Sequence, residues 1–501
     1  MSGTEDGRRD RQVPKNRVAS MRHPWFRFLF FVLCTPLLAA SAFAQAGPLP
    51  SVPASGSTQS PAAFQGSITS GAPSDQPLRL SLDDALQRGL RYNLGAIDSQ
   101  QYLRQAHGES IVARSQLLPN LSGSLLETAQ QVDLASYGFK FNTPPSLGFS
   151  FPKIVGPFNY FDLRGALTQR LADLQAIRTY QSTREAQKAA ELSAGDAREM
   201  VVYVVTAGYL QVLAESARVD SVKVQVASAQ AISQQASDRF TSGLNAKIDM
   251  TRSQVELQTQ QQRLTAEQAE YAKQKIALAR LIGLPSGQDL ILTDAMPYAP
   301  LENLTLEQAI TLASHNRSDL KAAEAQMHAA ELFRKAANAE RYPTLGLGAD
   351  YGVIGINPAT SHGTFSVTGQ LRFPIWAGGR IHGDIEQADA TLQRRRAEYE
   401  DLRARVEADV RTAYLDLTAA ADQVRVSQSR RELAEDELVQ ARDRFASGVA
   451  DTIEVVQAQE AVSSAEQDYI ASLSAHNLAK ASVARATGQA EKIMRNLLRS
   501  Q

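Results

Sequence analysis

The sequence predicts a mainly α-helical protein with a small β part, built from two tandem repeats of one unit. Three observations support this prediction. A seven-residue motif and later landmarks recur at fixed offsets, heptad patterns run through long stretches without proline, and short segments alternate apolar with polar residues. Sustained heptads indicate coiled-coil packing of long helices, whereas alternation with a period of two indicates strands.

Residues 1–44 are predicted to be a secretory signal peptide. Basic residues precede an apolar run from Phe28 to Leu38, and the small-residue cleavage pattern Ser41-Ala42-Phe43-Ala44 follows it. The only cysteine, Cys34, lies in this segment. The mature chain is therefore predicted to have no disulfide, no thiol nucleophile and no cysteine metal ligand.

Composition argues against several classes of function. Without the seven Lys and Arg and the three Asp and Glu of the signal peptide, the totals of 52 and 53 leave a formal charge of −5. Nucleic acid is not expected as a partner, because phosphate binding needs a basic face. The seven histidines are scattered without metal-ligand or triad spacing, so no cofactor, metal site or enzyme activity is predicted.

Two repeats, residues 78–290 and 291–490, are predicted to form the folded part. Residues 45–77 precede them and are rich in Pro, Ser and Gly with almost no charge, which is typical of a flexible tether. Residues 491–501 are predicted to be a short tail.

The repeats are defined by two landmarks. The motif Leu80–Leu86 recurs as Leu304–Ile310, at an offset of 224, and Arg239–Gly243 recurs as Arg444–Gly448, at an offset of 205. The first repeat thus carries about twenty extra residues, which we assign to a Gly- and aromatic-rich loop from Tyr137 to Phe158.

Each repeat is predicted to begin with a helix, capped by Ser81 or Thr305, that ends near Pro119 or Pro343. After the strands comes a helix of about 70 residues and about 100 Å, from Ala377 to Phe445 in the second repeat. A glycine then turns the chain into a returning helix, because glycine adopts the left-handed conformation at a helix end without cost.

Two strands are predicted between the helices of each repeat. Apolar residues share one face and small or polar residues share the other, and strands of roughly ten residues can cross a bilayer at a tilt. A half-buried sheet of a soluble protein is the alternative. The predicted strands cover about 119–135, 158–168, 343–355 and 363–374. Tyr160, Phe373 and Trp376 are candidates for a membrane-interface belt of aromatics, with hinge packing as the alternative.

Together these motifs resemble the TolC family of outer-membrane efflux and secretion ducts. The resemblance covers about residues 80–489 and rests on the start motif, the strand exit Leu371–Arg380 and the doubled Arg-Phe-x-x-Gly tip. It implies a homotrimer in the outer membrane, with four strands per chain in a twelve-stranded transmembrane β-barrel and a helical α-barrel tunnel in the periplasm. Threefold closure agrees with the physics, because open sheet edges are not tolerated in lipid.

The resemblance implies a passive exit duct of a tripartite efflux or type I secretion system. Its partners would be a periplasmic adaptor and an inner-membrane pump. The positions that match the adaptor-docking tips of the family are Gly243, Leu244, Gly448 and Val449.

A pore entrance constriction is also implied just past the second tip. Family members can carry two acids there, at the positions of Glu454 and Gln457, and only the first is acidic here. Asp249 holds the equivalent place in the first repeat. A solvated helix face is the alternative interpretation of Glu454.

Two other classes of protein are alternatives to the duct. A periplasmic adaptor also uses long helical hairpins, but it would have one hairpin flanked by small β-domains. A secreted structural coiled-coil protein would lack a barrel and a pore. The sequence does not indicate the cargo.

Overall fold

The computed structural model describes residues 64–139, 152–244, 246–296, 298, 304–450 and 452–497. The predicted signal peptide, the predicted tether as far as residue 63, residues 140–151 of the predicted loop and the end of the predicted tail lie outside these residues.

The two repeats have the same order of elements. The first contains β1 (Leu78–Leu80), α1 (Leu82–Tyr92), α2 (Leu94–Ser115), β2 (Asn120–Asp133), β3 (Ile154–Ala172), α3 (Leu174–Thr241) and α4 (Lys247–Leu281). The second contains β4 (Leu290–Leu292), α5 (Leu306–Asn316), α6 (Ser318–Ala339), β5 (Thr344–Gly355), β6 (His362–Arg372), α7 (Arg380–Ala446) and α8 (Thr452–Ala486), and α9 (Ala490–Leu497) follows it. The predicted loop from Tyr137 to Phe158 is shorter than expected, because β3 already begins at Ile154.

The helix predicted at the start of each repeat is in fact two helices. Ser81 and Thr305 do cap the first of them in capping boxes. The chain then leaves the helical conformation at Asn93 and Arg317, where ψ is 133° and 120°. The Asn93 side chain accepts from Gly95 N at 3.0 Å and so starts the next helix. The pattern did not reveal these breaks because neither residue is a helix breaker.

Residues 64–70 pack against the fold, so the tether prediction is wrong for this segment. Phe64 is only 3% exposed and belongs to the main hydrophobic core. A Cβ on Gly95 would lie 2.2 Å from the Phe64 ring, so only glycine lets α2 begin beside it. Ile68 N also donates to Tyr92 O at 2.9 Å. A Pro- and Ser-rich composition does not exclude an arm held by backbone hydrogen bonds.

The long helices α3 and α7 have 68 and 67 residues and are therefore about 100 Å long. In α8, the heptad positions step by three and four residues from Val455 to Ala486, and eight of these ten are buried, so they mark a packed seam. Of the ten corresponding positions of α4, only Ser253, Gln260 and Leu278 are buried. Within the described residues, α3 alone is long and apolar enough to cross a membrane, but 56% of its most apolar window is buried in the fold. Such burial is expected of a core helix.

The helices lie side by side, with α3 in the middle of the chain. It packs against α4 and α8 and, elsewhere along its length, against α2 and α6, while α7 packs against α6 and α8. One flank of the chain is thus formed by α7 and the other by α2 and α4. Four large aliphatic side chains of α7 are 56–67% exposed: Leu415, Val426, Leu433 and Val439.

The four long strands form an antiparallel sheet in the order β2-β3-β5-β6. Its register aligns Leu121, Leu167, Ala349 and Val367 in one row across all four strands. Within the described residues, β2 and β6 each pair on one side only, so the sheet has two open edges. A separate short parallel pair, β1 with β4, joins the starts of the two repeats.

Candidate functional site

The sheet has one apolar and one polar face. The row from Leu121 to Val367 lies on the apolar face, and its edge residues are 81% and 67% exposed. The next row, Asn120, Thr168, Gly348 and Thr368, lies on the opposite face and holds only polar or small residues. A sheet with this pattern can face lipid on one side and water on the other.

The polar face carries a charged cluster that the sequence did not reveal. Arg164 on β3 forms an ion pair with Asp350 on β5, lies 3.3 Å from Asp162, and donates to the Thr364 hydroxyl at 3.2 Å. The signal that could have found it is the period of two in β3, which places Asp162 and Arg164 on one face. Charges at this position would line the water-filled side of a barrel.

Two of the three candidate interface aromatics lie at the sheet boundary. Phe373 and Trp376 follow β6 and are 59% and 88% exposed. Tyr160 lies opposite Thr128 on the polar face, so its place in a membrane-interface belt stays a prediction. The register instead pairs Tyr351 with Phe365 on the apolar face, where they are 67% and 78% exposed.

A buried carboxylate connects the end of α6 to the starts of the two long helices. Glu340, at the end of α6, accepts from Arg380 at 2.7 Å and from Gln175 at 3.0 Å. Burial raises the pKa of Glu340, and the guanidinium of Arg380 opposes this shift. The first residues of α3 and α7 are thereby held to the same point.

The two hairpin tips have the same local geometry. Gly243 and Gly448 adopt φ of 72° and 76°, the left-handed conformation expected past a helix end. Leu244 N and Val449 N then donate to the carbonyls five residues earlier, at 2.8 and 2.9 Å. Both side chains project from the tips, with exposures of 75% and 72%.

One arginine joins the first tip to the second. The Arg239 guanidinium donates to Phe445 O and Ala446 O, both at 3.1 Å, and lies 4.5 Å from the centroid of the Phe445 ring. These carbonyls end α7, where a cation is favoured by the helix dipole. Phe445 is 3% exposed, because it also packs in a hydrophobic cluster with Ile232 and Val455.

The candidate entrance residues lie in the first turns of the returning helices. Glu454 on α8 forms an ion pair with Arg444 at 2.9 Å, and both side chains are about half exposed. Gln457 is also exposed. Asp249 on α4 lies 3.8 Å from Arg252. The sequence analysis missed Arg444, although the repeated tip motif contains it.

Among the described residues, no group of three or more His, Cys, Asp or Glu could hold a metal ion. The described residues instead form charged and apolar surfaces at the hairpin tips. At the other end of the long helices they form a sheet with one apolar and one polar face.

Comparison with known proteins identifies relatives along most of the chain. A family model described as outer membrane efflux protein matches residues 309–489. The pyoverdine export outer membrane protein OpmQ of Pseudomonas putida is 24% identical over 348 residues, which are 68% of this chain and 70% of OpmQ. The toluene efflux pump outer membrane protein TtgF, also of Pseudomonas putida, is 23% identical over 378 residues, or 72% and 73% of the two chains.

The fold matches a solved outer membrane protein. VceC of Vibrio cholerae superposes with a TM-score of 0.68 at 19% identity, covering 81% of this chain and 96% of VceC. The predicted fold class, long helical hairpins with a small β part, is confirmed by this likeness.

The contact made by Arg239 leads to a prediction about the tips. Arg239→Gln removes charge-assisted hydrogen bonds to the end of α7. At this half-exposed position we expect these bonds to stabilise the closed tips by about 1 kcal/mol. Amide hydrogen exchange of residues 442–449 should then accelerate about fivefold. Arg252→Gln is the matched control, since its nearest acid is 3.8 Å away. Equal exchange in both variants would show that Arg239 does not hold the tips together.

Proposed function

We propose that this chain, which belongs to the outer membrane efflux protein family and has the fold of its channels, lines a passive exit duct. The duct would run from the periplasm across the outer membrane. The observation that carries the proposal is the two-faced, four-stranded sheet at the end of helices about 100 Å long. Members of the family are channel proteins, and transport of this kind requires no catalytic chemistry.

Three copies would complete the duct. Four strands cannot close a membrane barrel, and each open edge would leave backbone groups unpaired in lipid. If the β6 edge of one copy pairs with the β2 edge of the next, threefold symmetry closes a twelve-stranded barrel and removes every edge. The apolar rows then face lipid, the Arg164 cluster faces the lumen, and Phe373 and Trp376 lie at the periplasmic boundary.

Single-particle imaging of residues 45–501 in detergent tests the proposal. We expect a tapered trimer with a barrel at one end and a tunnel well over 100 Å in total length. A monomeric rod, or a trimer without a barrel, would contradict it and favour a structural coiled-coil protein. The adaptor alternative agrees poorly with two hairpins that are each preceded by two long strands.

Substitutions on the two faces of β6 should have opposite consequences. Val367→Arg places a charge on the apolar face and should destabilise the inserted sheet by about 2–4 kcal/mol near the bilayer midplane. Thr368→Arg, one residue further on, would face the lumen and should be tolerated. Heat-dependent electrophoretic mobility of trimers from outer membranes measures both. If the two variants lose the folded form equally, the proposed orientation of the sheet is wrong.

The tips are the proposed docking sites for a periplasmic adaptor that connects the duct to an inner-membrane pump. Leu244 and Val449 support this role, since each presents an exposed aliphatic side chain beside a turning glycine. TtgF is the outer membrane protein of a toluene efflux pump, which supports a pump as the partner here. Gly243 and Gly448 would fix the shape that the adaptor meets.

The entrance is the proposed selectivity filter, with Glu454 as its main acid and Asp249 and Gln457 as its neighbours. Three copies of Glu454 would surround the threefold axis and attract cations. Arg444 opposes this field, because its positive charge lies at the same tip, 2.9 Å from the Glu454 carboxylate in the single chain. The net charge of the ring then depends on both residues.

Ion selectivity should therefore change in opposite directions in two variants. Glu454→Gln should reduce the preference for cations, and Arg444→Gln should increase it, because each removes one sign of charge from the entrance. The reversal potential across a planar bilayer with a KCl gradient measures both. Asp75→Asn, which removes an exposed acid outside the tunnel helices, is the control. An unchanged potential in both variants would remove the filter role.

A further inference from the structure

The tunnel helices of the two repeats correspond residue by residue at an offset of 205. α3 ends at Thr241 and α7 at Ala446, and α4 spans Lys247–Leu281 where α8 spans Thr452–Ala486. In a ring of hairpins that alternate between first and second repeats, each contact within a chain has a counterpart between chains. To find the counterpart of a contact, 205 is added to the number of its first-repeat residue and 205 is subtracted from the number of its second-repeat residue.

An ion pair beside α3 is duplicated in this way. Within the chain, Asp196 of α3 accepts from Arg485 of α8 at 2.6 Å. The counterparts are Asp401 of α7 and Arg280 of α4, which have the same residue types and the same charges. Asp401 is on α7 and Arg280 is on α4, the helices at the two flanks of the chain, so we expect this pair to form between copies.

The arginine contact at the tips is duplicated as well. Arg239 binds the end of α7 and stacks on Phe445, and its counterpart is Arg444 with Phe240 at the end of α3. Phe445 is 3% exposed within the chain, whereas Phe240 is 37% exposed. Arg444 of a neighbouring copy would stack on the Phe240 ring as Arg239 stacks on the Phe445 ring.

The contacts that Asp401 and Arg444 make within the single chain can be replaced by contacts with another copy. Asp401 is 68% exposed and contacts Arg405 one helical turn away, while Arg444 contacts the half-exposed Glu454. Exposed pairs of this kind contribute little stability and rearrange readily. Arg239 already binds across hairpins although an acid, Asp249, occupies the place that corresponds to Glu454.

From these observations we propose that the α7 flank of one copy docks on the α4 flank and the α3 end of the next copy through two duplicated contacts. Asp401 pairs with Arg280 of the next copy, and Arg444 binds the terminal carbonyls of α3 and stacks on Phe240 there. The two contacts lie about 65 Å apart along α7, so together they fix both the register and the tilt of neighbouring copies. The proposal deepens the proposed function, because it rests on the trimer.

Some contacts within the chain are not duplicated. Arg263 donates to Ser463 and Gln467, and its counterpart in the second repeat is Asp468, so the arginine is lost. The interface between copies therefore shares two polar contacts with the interface inside the chain but is not identical to it.

Thiol cross-linking tests the contacts directly, because the only natural cysteine, Cys34, lies in the predicted signal peptide. Asp401→Cys combined with Arg280→Cys, treated with a short bismaleimide, should give denaturation-resistant dimers and trimers. A bismaleimide is used because a direct disulfide needs Cβ atoms about 4 Å apart, closer than an Asp–Arg pair holds them. Asp196→Cys with Arg485→Cys is the matched control and should link within one chain.

Charge reversal provides a second measurement. Asp401→Arg or Arg280→Asp alone should lower the temperature at which the trimer dissociates, and the double variant should restore it. Asp436→Arg is the control, since this acid of α7 and its counterpart Ala231 are both exposed, and it should leave the temperature unchanged. Arg444→Cys with Phe240→Cys should likewise link copies at the tips.

The outcomes separate this proposal from the trimer itself. If native mass spectrometry finds the wild-type chain to be a monomer, the proposed trimer fails. If the wild type is a trimer but the Asp401 and Arg280 pair neither links copies nor shows rescue by the double reversal, only the proposed contacts are wrong. Linking between copies together with rescue would support them.

Discussion

The rest of the structure depends on the unpaired backbone groups at the two edges of one sheet. β2 and β6 are long, and they contribute exposed apolar residues to one face of the sheet. Within the described residues, no other strand pairs with their outer edges. Lipid cannot satisfy such groups, and in the proposed trimer other copies of the chain would do so. Because β6 continues into α7 and β2 follows α2, pairing these edges between copies would also bring helices of neighbouring copies together. In the proposed trimer, a constraint in the membrane thus determines how the periplasmic part assembles.

Local chemistry made much of the fold predictable. Ser81 and Thr305 cap helices because their hydroxyls accept from the third residue of each helix, and Gly243 and Gly448 turn because they reach positive φ. The features that were missed depend on tertiary contacts. Phe64 is ordered by the core beneath it, and Asn93 breaks a helix because its amide is satisfied by buried backbone. Tyr160 lies on the polar face because of strand register, which aromatic type alone does not specify.

The candidate site illustrates the same limit in one pair of residues. Arg239 and Arg444 occupy equivalent places in two copies of the same motif, yet one binds carbonyls of the other hairpin and the second binds an acid of its own hairpin. Sequence repetition identified the tips as corresponding features but not the partners of these side chains. The partners depend on which neighbour each flank has, and one flank of the chain has no neighbour until a second copy arrives.

The exposed aliphatic side chains of α7 have a consequence for how the protein matures. Leu415, Val426, Leu433 and Val439 would be in water while the chain crosses the periplasm as a single copy. If these side chains are buried only in the proposed trimer, the stability of the folded chain depends on its own concentration. If synthesis is slow, the concentration of the chain is low, and single copies with exposed apolar side chains would persist. Such copies are prone to proteolysis and aggregation. To reach the membrane intact, the folded chain would therefore need to be bound by a chaperone or to associate rapidly with other copies.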